Sequence, residues 1–161
     1  MMGMKLLGAI LLAFTGGYGA WLLNRRAERT VDRLDAWIAL LRLTKNQIDC
    51  FSLPVPDILA RCEPSLLARI GWDGEEHPKD FQGLCEAVRG SLTTEEGERI
   101  AEGFCDEIGK GYRAEQIRTC DYSIGLFCAE RDRLLAELPR RRQRNTTLCM
   151  ALSLGAAMVL F

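Results

Sequence analysis

The sequence predicts an all-α protein, an antiparallel helical bundle flanked by an N-terminal and a C-terminal transmembrane helix. Three observations carry this expectation. Apolar residues recur at spacings of three and four through most of the chain, and no segment alternates with period two. Both ends are apolar and almost uncharged, whereas the middle holds all 22 acidic residues and, Lys5 excepted, all 21 basic ones. Each apolar end joins the middle through arginines: Arg25, Arg26 and Arg29 on one side, Arg140, Arg141, Arg142 and Arg144 on the other.

Residues 1–5 are expected to form a short extracytoplasmic terminus. Residues 6–23, LLGAILLAFTGGYGAWLL, run without a charge and as a helix would cover about 27 Å, close to the hydrocarbon thickness of a bilayer. Tyr18 and Trp21 fall near the end of this span, where amphipathic rings suit the interface. A cleaved signal peptide is the competing reading. Against it stand a single lysine before the apolar stretch, no A-x-A site after it, and arginines that resist translocation.

Residues 146–161 make a shorter apolar run of roughly 24 Å, which spans with local thinning of the bilayer. The same run could be a buried terminal helix, but its basic flank mirrors that of the first span and favours the membrane. Both arginine clusters lie on the inner side of their spans, so residues 24–145 are expected in the cytoplasm and both termini outside. Small residues recur every fourth position, at Ala9, Ala13 and Gly17 and at Ala151 and Gly155, a spacing that lets helices approach closely in lipid.

Within the cytoplasmic part, no Pro or Gly occurs from Asn24 to Ser52. Val31, Leu34, Ile38, Leu41 and Ile48 recur at helical spacing, with Trp37, Leu40 and Leu43 alongside, so the first span should continue into a long helix. SLPVPD ends it, and Asp57 can start a short helix. A further turn of helix closes at Gly71, WDGEEHP is loop, and residues 79–88 present Phe81, Leu84, Cys85 and Val88 on one face. Thr93 followed by Glu96 reads as a capping box for a helix with Ile100, Phe104 and Ile108 inward. After the GKG break at 109–111, a last long helix begins at Tyr112 or Arg113. Its stripe is Ile117, Cys120, Ile124, Phe127, Cys128, Leu134, Leu135 and Leu138.

The search for chemistry predicts no catalytic, cofactor-binding or metal-binding residue. Balanced charge argues against nucleic acid as a partner. The seven cysteines are scattered singly with no C-x-x-C, so they read as reduced thiols acting as small apolar residues. His77, the one histidine, lies in a loop between Glu76 and Pro78, and one histidine with isolated cysteines assembles no metal site. GKGYR lacks the preceding strand and the spacing of a phosphate loop. Acidic runs such as Glu95, Glu96 and Glu98 complement a helix N-terminus. The arginine clusters are expected both to set topology and to meet anionic lipid headgroups.

The order of these segments resembles the stage III sporulation protein AB family of endospore-forming Firmicutes over nearly the whole chain. The likeness lies in MKLLGAILLAFTGGYGAWLLNRRAERTVDRLDAWIALLRLTKNQI, in FSLPVPDILARC and in LTTEEGERIAEGFCDEIGKGYRAEQIRTCDYSIGLF, followed by the basic flank and terminal span. Residues 72–90 match in helical character alone, and Gln47 stands where members often carry an acid.

The resemblance implies a cytoplasmic domain similar to those of type II secretion F-type platform proteins. It further implies a non-enzymatic platform or adaptor in a channel-like complex between mother cell and forespore, in the outer forespore membrane. By that analogy the bundle docks a cytosolic secretion-type ATPase, the stage III sporulation protein AA, with Glu115 and Gln116 as a possible partner surface. The alternative expectation is a membrane-tethered regulator or lipid-surface sensor unconnected with sporulation.

Overall fold

The computed structural model describes the backbone of residues 2–92 and 94–160, and the side chains of residues 17–19, 21–22, 24–92, 94–152 and 155. Among these residues there are six α-helices and no strand: α1 (Met2–Phe51), α2 (Val55–Ala60), α3 (Pro64–Ile70), α4 (Phe81–Val88), α5 (Glu95–Glu107) and α6 (Arg113–Leu160). The all-α expectation is met. The chain divides into two compact units, residues 30–133 and a unit made of residues 1–29 with 134–161.

The unit of residues 30–133 is a helical bundle whose long sides are the C-terminal part of α1 and the N-terminal part of α6. Asp35 meets Arg131 (3.1 Å), Lys45 meets Asp121 (2.6 Å) and Asp49 meets Arg113 (2.8 Å), so the two helices run antiparallel. Between these ion pairs the indole of Trp37 stacks on Phe127 at 5.8 Å between ring centres. Leu34, Leu40, Leu41 and Ile48 are buried on the same side of α1, as the helical period of the sequence requires.

The shorter helices close the core. Phe81 of α4 meets Phe104 of α5 edge to face at 5.2 Å, and Leu84, Val88, Ile100 and Ile108 are buried with them. Ile58, Leu59, Leu67 and Ile70 complete the apolar interior.

Local chemistry fixes the helix ends, in several places one or two residues from the expected position. α2 begins at Val55, before Asp57, because Pro56 sits in the first turn, where its missing N–H would have had no partner anyway. α3 ends on Gly71 with φ +114°, and a Cβ there would come within 3.0 Å of the Ser91 Cβ.

The cap of α5 is Thr94, whose Oγ1 accepts from the Gly97 N–H at 3.2 Å. Thr93, the expected cap, lies outside the described residues. Glu98, in the first turn, accepts from the Leu92 N–H at 2.9 Å. The capping box expected between Thr93 and Glu96 is therefore replaced by a Thr94 cap and a longer reach from Glu98.

Burial along α6 is narrower than its sequence stripe. Cys120, Phe127 and Leu134 are buried, whereas Leu135 is 45% exposed. Leu134 and Leu135 lie about 100° apart on a helix, so one face cannot bury both. The buried polar side chains are Thr30, Thr44, Ser123 and Glu130. Thr44 returns its hydroxyl to the Leu40 carbonyl at 2.9 Å, and Glu130 accepts a two-pronged bond from Arg133 at 2.7 and 2.8 Å.

In the second unit, residues 2–29 of α1 lie antiparallel to residues 134–160 of α6. The Asn145 amide donates to Asn24 Oδ1 at 3.3 Å, and a Cβ on Gly19 would stand 3.9 Å from Cys149 Sγ. Pro139 lies inside α6 and removes one helical hydrogen bond.

Residues 6–23 and 146–160 are helical throughout. Among the described residues, however, no helix is long and apolar enough to cross a membrane. The two expected spans have no support there. Much of both apolar runs lies outside the residues whose side chains are described, and the described stretches adjoining them, 24–29 and 140–147, are charged and polar.

Candidate functional site

One end of the bundle gathers residues that the sequence separates by more than fifty positions. α1 stops at Phe51 because Ser52 takes a left-handed conformation (φ +50°) and Pro54 follows. α5 gives way to Ile108 and to Gly109, at φ +85°, which turns the chain toward α6. The N-terminus of α6 is closed by Glu115, whose Oε2 accepts from the Tyr112 N–H at 3.0 Å. This is one arm of a capping box and places a carboxylate where the helix dipole favours it.

The two strands of this arrangement are tied by Arg113. Its guanidinium donates to the Asp49 carbonyl and to Asp49 Oδ1, the latter at 2.8 Å. Gln116 donates its amide to the Gly111 carbonyl at 2.8 Å and holds the glycine turn. The two residues expected to face a partner shape the glycine loop: Glu115 caps the helix, and Gln116 lines a cleft.

That cleft has a volume of about 470 Å³. Ile48, Leu53, Val55 and Pro56 form its apolar walls, with Arg113 and Gln116 as polar members. The side chains of Phe51 and Tyr112, from the segments that border the cleft, are 68% and 85% exposed. Exposed aromatics beside an apolar cleft are the composition of an interaction surface. The resemblance names Glu115 and Gln116; it does not name Phe51 or Tyr112. A legible signal existed, since an aromatic on the last helical residue before a proline break has no core to enter.

The arginine clusters belong to the other unit, apart from this cleft in sequence. Arg25 lies over the Trp21 ring at 4.8 Å, and Tyr18 packs against the same indole at 5.7 Å. Arg26 and Arg29 are exposed. Arg141 pairs with Glu137 at 2.6 Å, whereas Arg140, Arg142 and Arg144 are exposed and make no ion pair among the described residues. Of the small residues expected to pack helices, Gly17, Ala151 and Gly155 are exposed, and a Cβ on either glycine would meet nothing within 4 Å among the described residues. The side chains of Ala9 and Ala13 lie outside the described residues.

Nucleophiles and ligands elsewhere are held quiet. His77 is exposed, and its Nε2 lies 2.9 Å from the Cys62 carbonyl. Among the described residues no three His, Cys, Asp or Glu side chains are grouped to hold a metal ion. None of the seven cysteines is in a disulfide.

Burial pushes the thiols of Cys62 and Cys120 up to about 11. Cys85 on α4 and Cys105 on α5 share a hydrogen bond. That bond and burial hold the proton on Cys105, far above the ordinary thiol range, and the same bond lowers Cys85.

Two results follow for the thiols. In the folded chain at neutral pH, maleimide is expected to modify exposed Cys50 first and to reach Cys62, Cys85, Cys105 and Cys120 on unfolding. Rapid neutral-pH modification of Cys62 or Cys120 would contradict this burial. Their thiols ionise later in the folded than in the unfolded chain, so their contribution to stability is complete below about 9 and is lost as pH rises toward about 11. Denaturant midpoints measured across that window check the sign.

No protein-family model, no curated protein and no solved structure matches the chain.

Proposed function

We propose that the chain is a non-enzymatic platform or adaptor subunit of a secretion-like sporulation complex between mother cell and forespore. Helices over 6–23 and 146–161 anchor it in the outer forespore membrane, residues 24–145 face the mother-cell cytoplasm, and the bundle docks a cytosolic secretion-type ATPase, the stage III sporulation protein AA. The anchoring rests on two uncharged runs with matched arginine flanks. The family reading rests on the resemblance of the segments quoted above.

The observation that supports a docking role is an apolar cleft whose lining residues Ser52 and Arg113 are the chain neighbours of exposed Phe51 and Tyr112. Side chains of this kind contribute most of the energy at protein interfaces, and a rigid helical scaffold presents them without an ordering cost. The expected result is that the ATPase co-purifies with the full chain from sporulating cells, and that deleting residues 24–145 abolishes both capture and spore formation. Retention of both after the deletion would overturn the reading.

One observation favours a second reading, a membrane-tethered regulator or lipid-surface sensor. Arg140, Arg142 and Arg144 have no carboxylate partner among the described residues, which leaves three guanidinium groups for an external anion.

A further inference from the structure

Six exposed residues of α6, Arg140, Gln143, Arg144, Thr147, Leu148 and Ala151, stand at spacings of three and four and form one continuous helix face. A shallow, open groove of about 430 Å³ is lined, among the described residues, by these six. Along the helix the order is a guanidinium, an amide, a second guanidinium, a hydroxyl and then two aliphatic side chains, so polarity falls from Arg144 to Ala151. The whole passage takes twelve residues, Arg140 to Ala151, or about 16 Å along the axis.

The donors and acceptors sharpen this gradient. Among the described residues no carboxylate lines the groove and neither arginine makes an ion pair. Thr147 turns its hydroxyl proton back to the Gln143 carbonyl at 2.9 Å, which leaves the Gln143 amide as the neutral donor beside the two arginines. The unspent donors are concentrated at Arg140 and Arg144, in the planar fork that suits a phosphate. Past Thr147 the exposed surface is apolar, with Leu148 53%, Met150 62% and Leu152 69% exposed.

We infer that this face binds an anionic glycerophospholipid, with the phosphodiester between Arg140 and Arg144 and an acyl chain along Leu148 and Ala151. A soluble phosphate would satisfy the arginines and leave the aliphatic end of the groove wet. A lipid satisfies both ends at once, so it is the occupant that the gradient selects. The inference rests on the membrane-anchored reading and adds to it a defined site with a preference among headgroups.

The test uses the full chain, purified in neutral detergent and delipidated, with bound lipid counted by native mass spectrometry. Phosphatidylglycerol is expected to bind at least about tenfold more tightly than phosphatidylcholine. R140Q/R144Q is expected to lose about 30-fold of that affinity, taking roughly fivefold for each juxtamembrane arginine. R89Q/R99Q, which removes the same charge from the bundle, is expected to change binding less than twofold, and glycerol 3-phosphate is expected not to compete.

Equal binding of the two lipids, an equal loss in R89Q/R99Q, or full competition by glycerol 3-phosphate would each overturn the site. Helix content by circular dichroism shows that R140Q/R144Q still folds. Flotation of the unmodified chain with pure phosphatidylcholine vesicles reports the anchoring by itself, so failure there and failure of the arginine site are read separately.

Discussion

Replacing Trp37 by alanine is expected to lower the stability of the bundle by about 3–5 kcal/mol, the range for truncating a large buried aromatic. Trp37 is fully buried between the long helices and stacks on Phe127, so its loss opens a cavity at their seam. Domain stabilities are about 5–15 kcal/mol, so the variant sits near the threshold of folding.

Trp37→Phe separates shape from polarity. The indole Nε1 is buried with no hydrogen-bond partner among the described residues, and a phenyl ring keeps the stacking while discarding that donor. The smaller ring leaves a void, which the recovered desolvation energy partly offsets, and a net loss below about 1.5 kcal/mol is expected. Urea denaturation of the three chains decides the matter. Equal losses in Trp37→Ala and Trp37→Phe would show that the stacking contributes nothing.

The second large effect concerns the cleft. Phe51→Asp with Tyr112→Asp is expected to weaken ATPase binding at least about 100-fold, since interface aromatics contribute about 2 kcal/mol or more each. Both side chains are mostly exposed, so the melting temperature should be almost unaffected. Arg99→Glu, an exposed residue on α5, serves as the control and should leave binding intact. A surface plasmon measurement showing undiminished binding by the double aspartate variant would move the docking surface elsewhere.

The architecture of the bundle was legible because its signals are local and strong. A helical period sustained from Val31 to Ile48, a proline pair at Pro54 and Pro56 and a glycine stop at Gly71 each act through backbone sterics that no distant contact needs to assist. What escaped depends on tertiary context. Thr93 and Thr94 offer the same hydroxyl, and the reach of Glu98 to Leu92 belongs to a fold that has already formed.

Glu130 looks like one more surface acid until its burial beside Arg133 is known. Leu135 fits the apolar stripe as well as Leu134 does until the width of the neighbouring helix is fixed. The candidate site shows the same division. The positions of Glu115 and Gln116 were legible, but their work in shaping the loop appears only when Tyr112 and Gly111 stand beside them.

The ion pairs between the long helices carry a sign pattern with its own consequence. α1 presents minus, plus, minus at Asp35, Lys45 and Asp49, and α6 answers plus, minus, plus at Arg131, Asp121 and Arg113. Each pair is worth little alone, about 0–1 kcal/mol at a wet surface. Two copies of α1 aligned antiparallel would bring Asp35 against Asp49, and a helix slipped by a few turns would oppose like signs as well. The charges therefore bias the two unlike helices toward this one register over a like-with-like pairing, by about 0–1 kcal/mol for each pair.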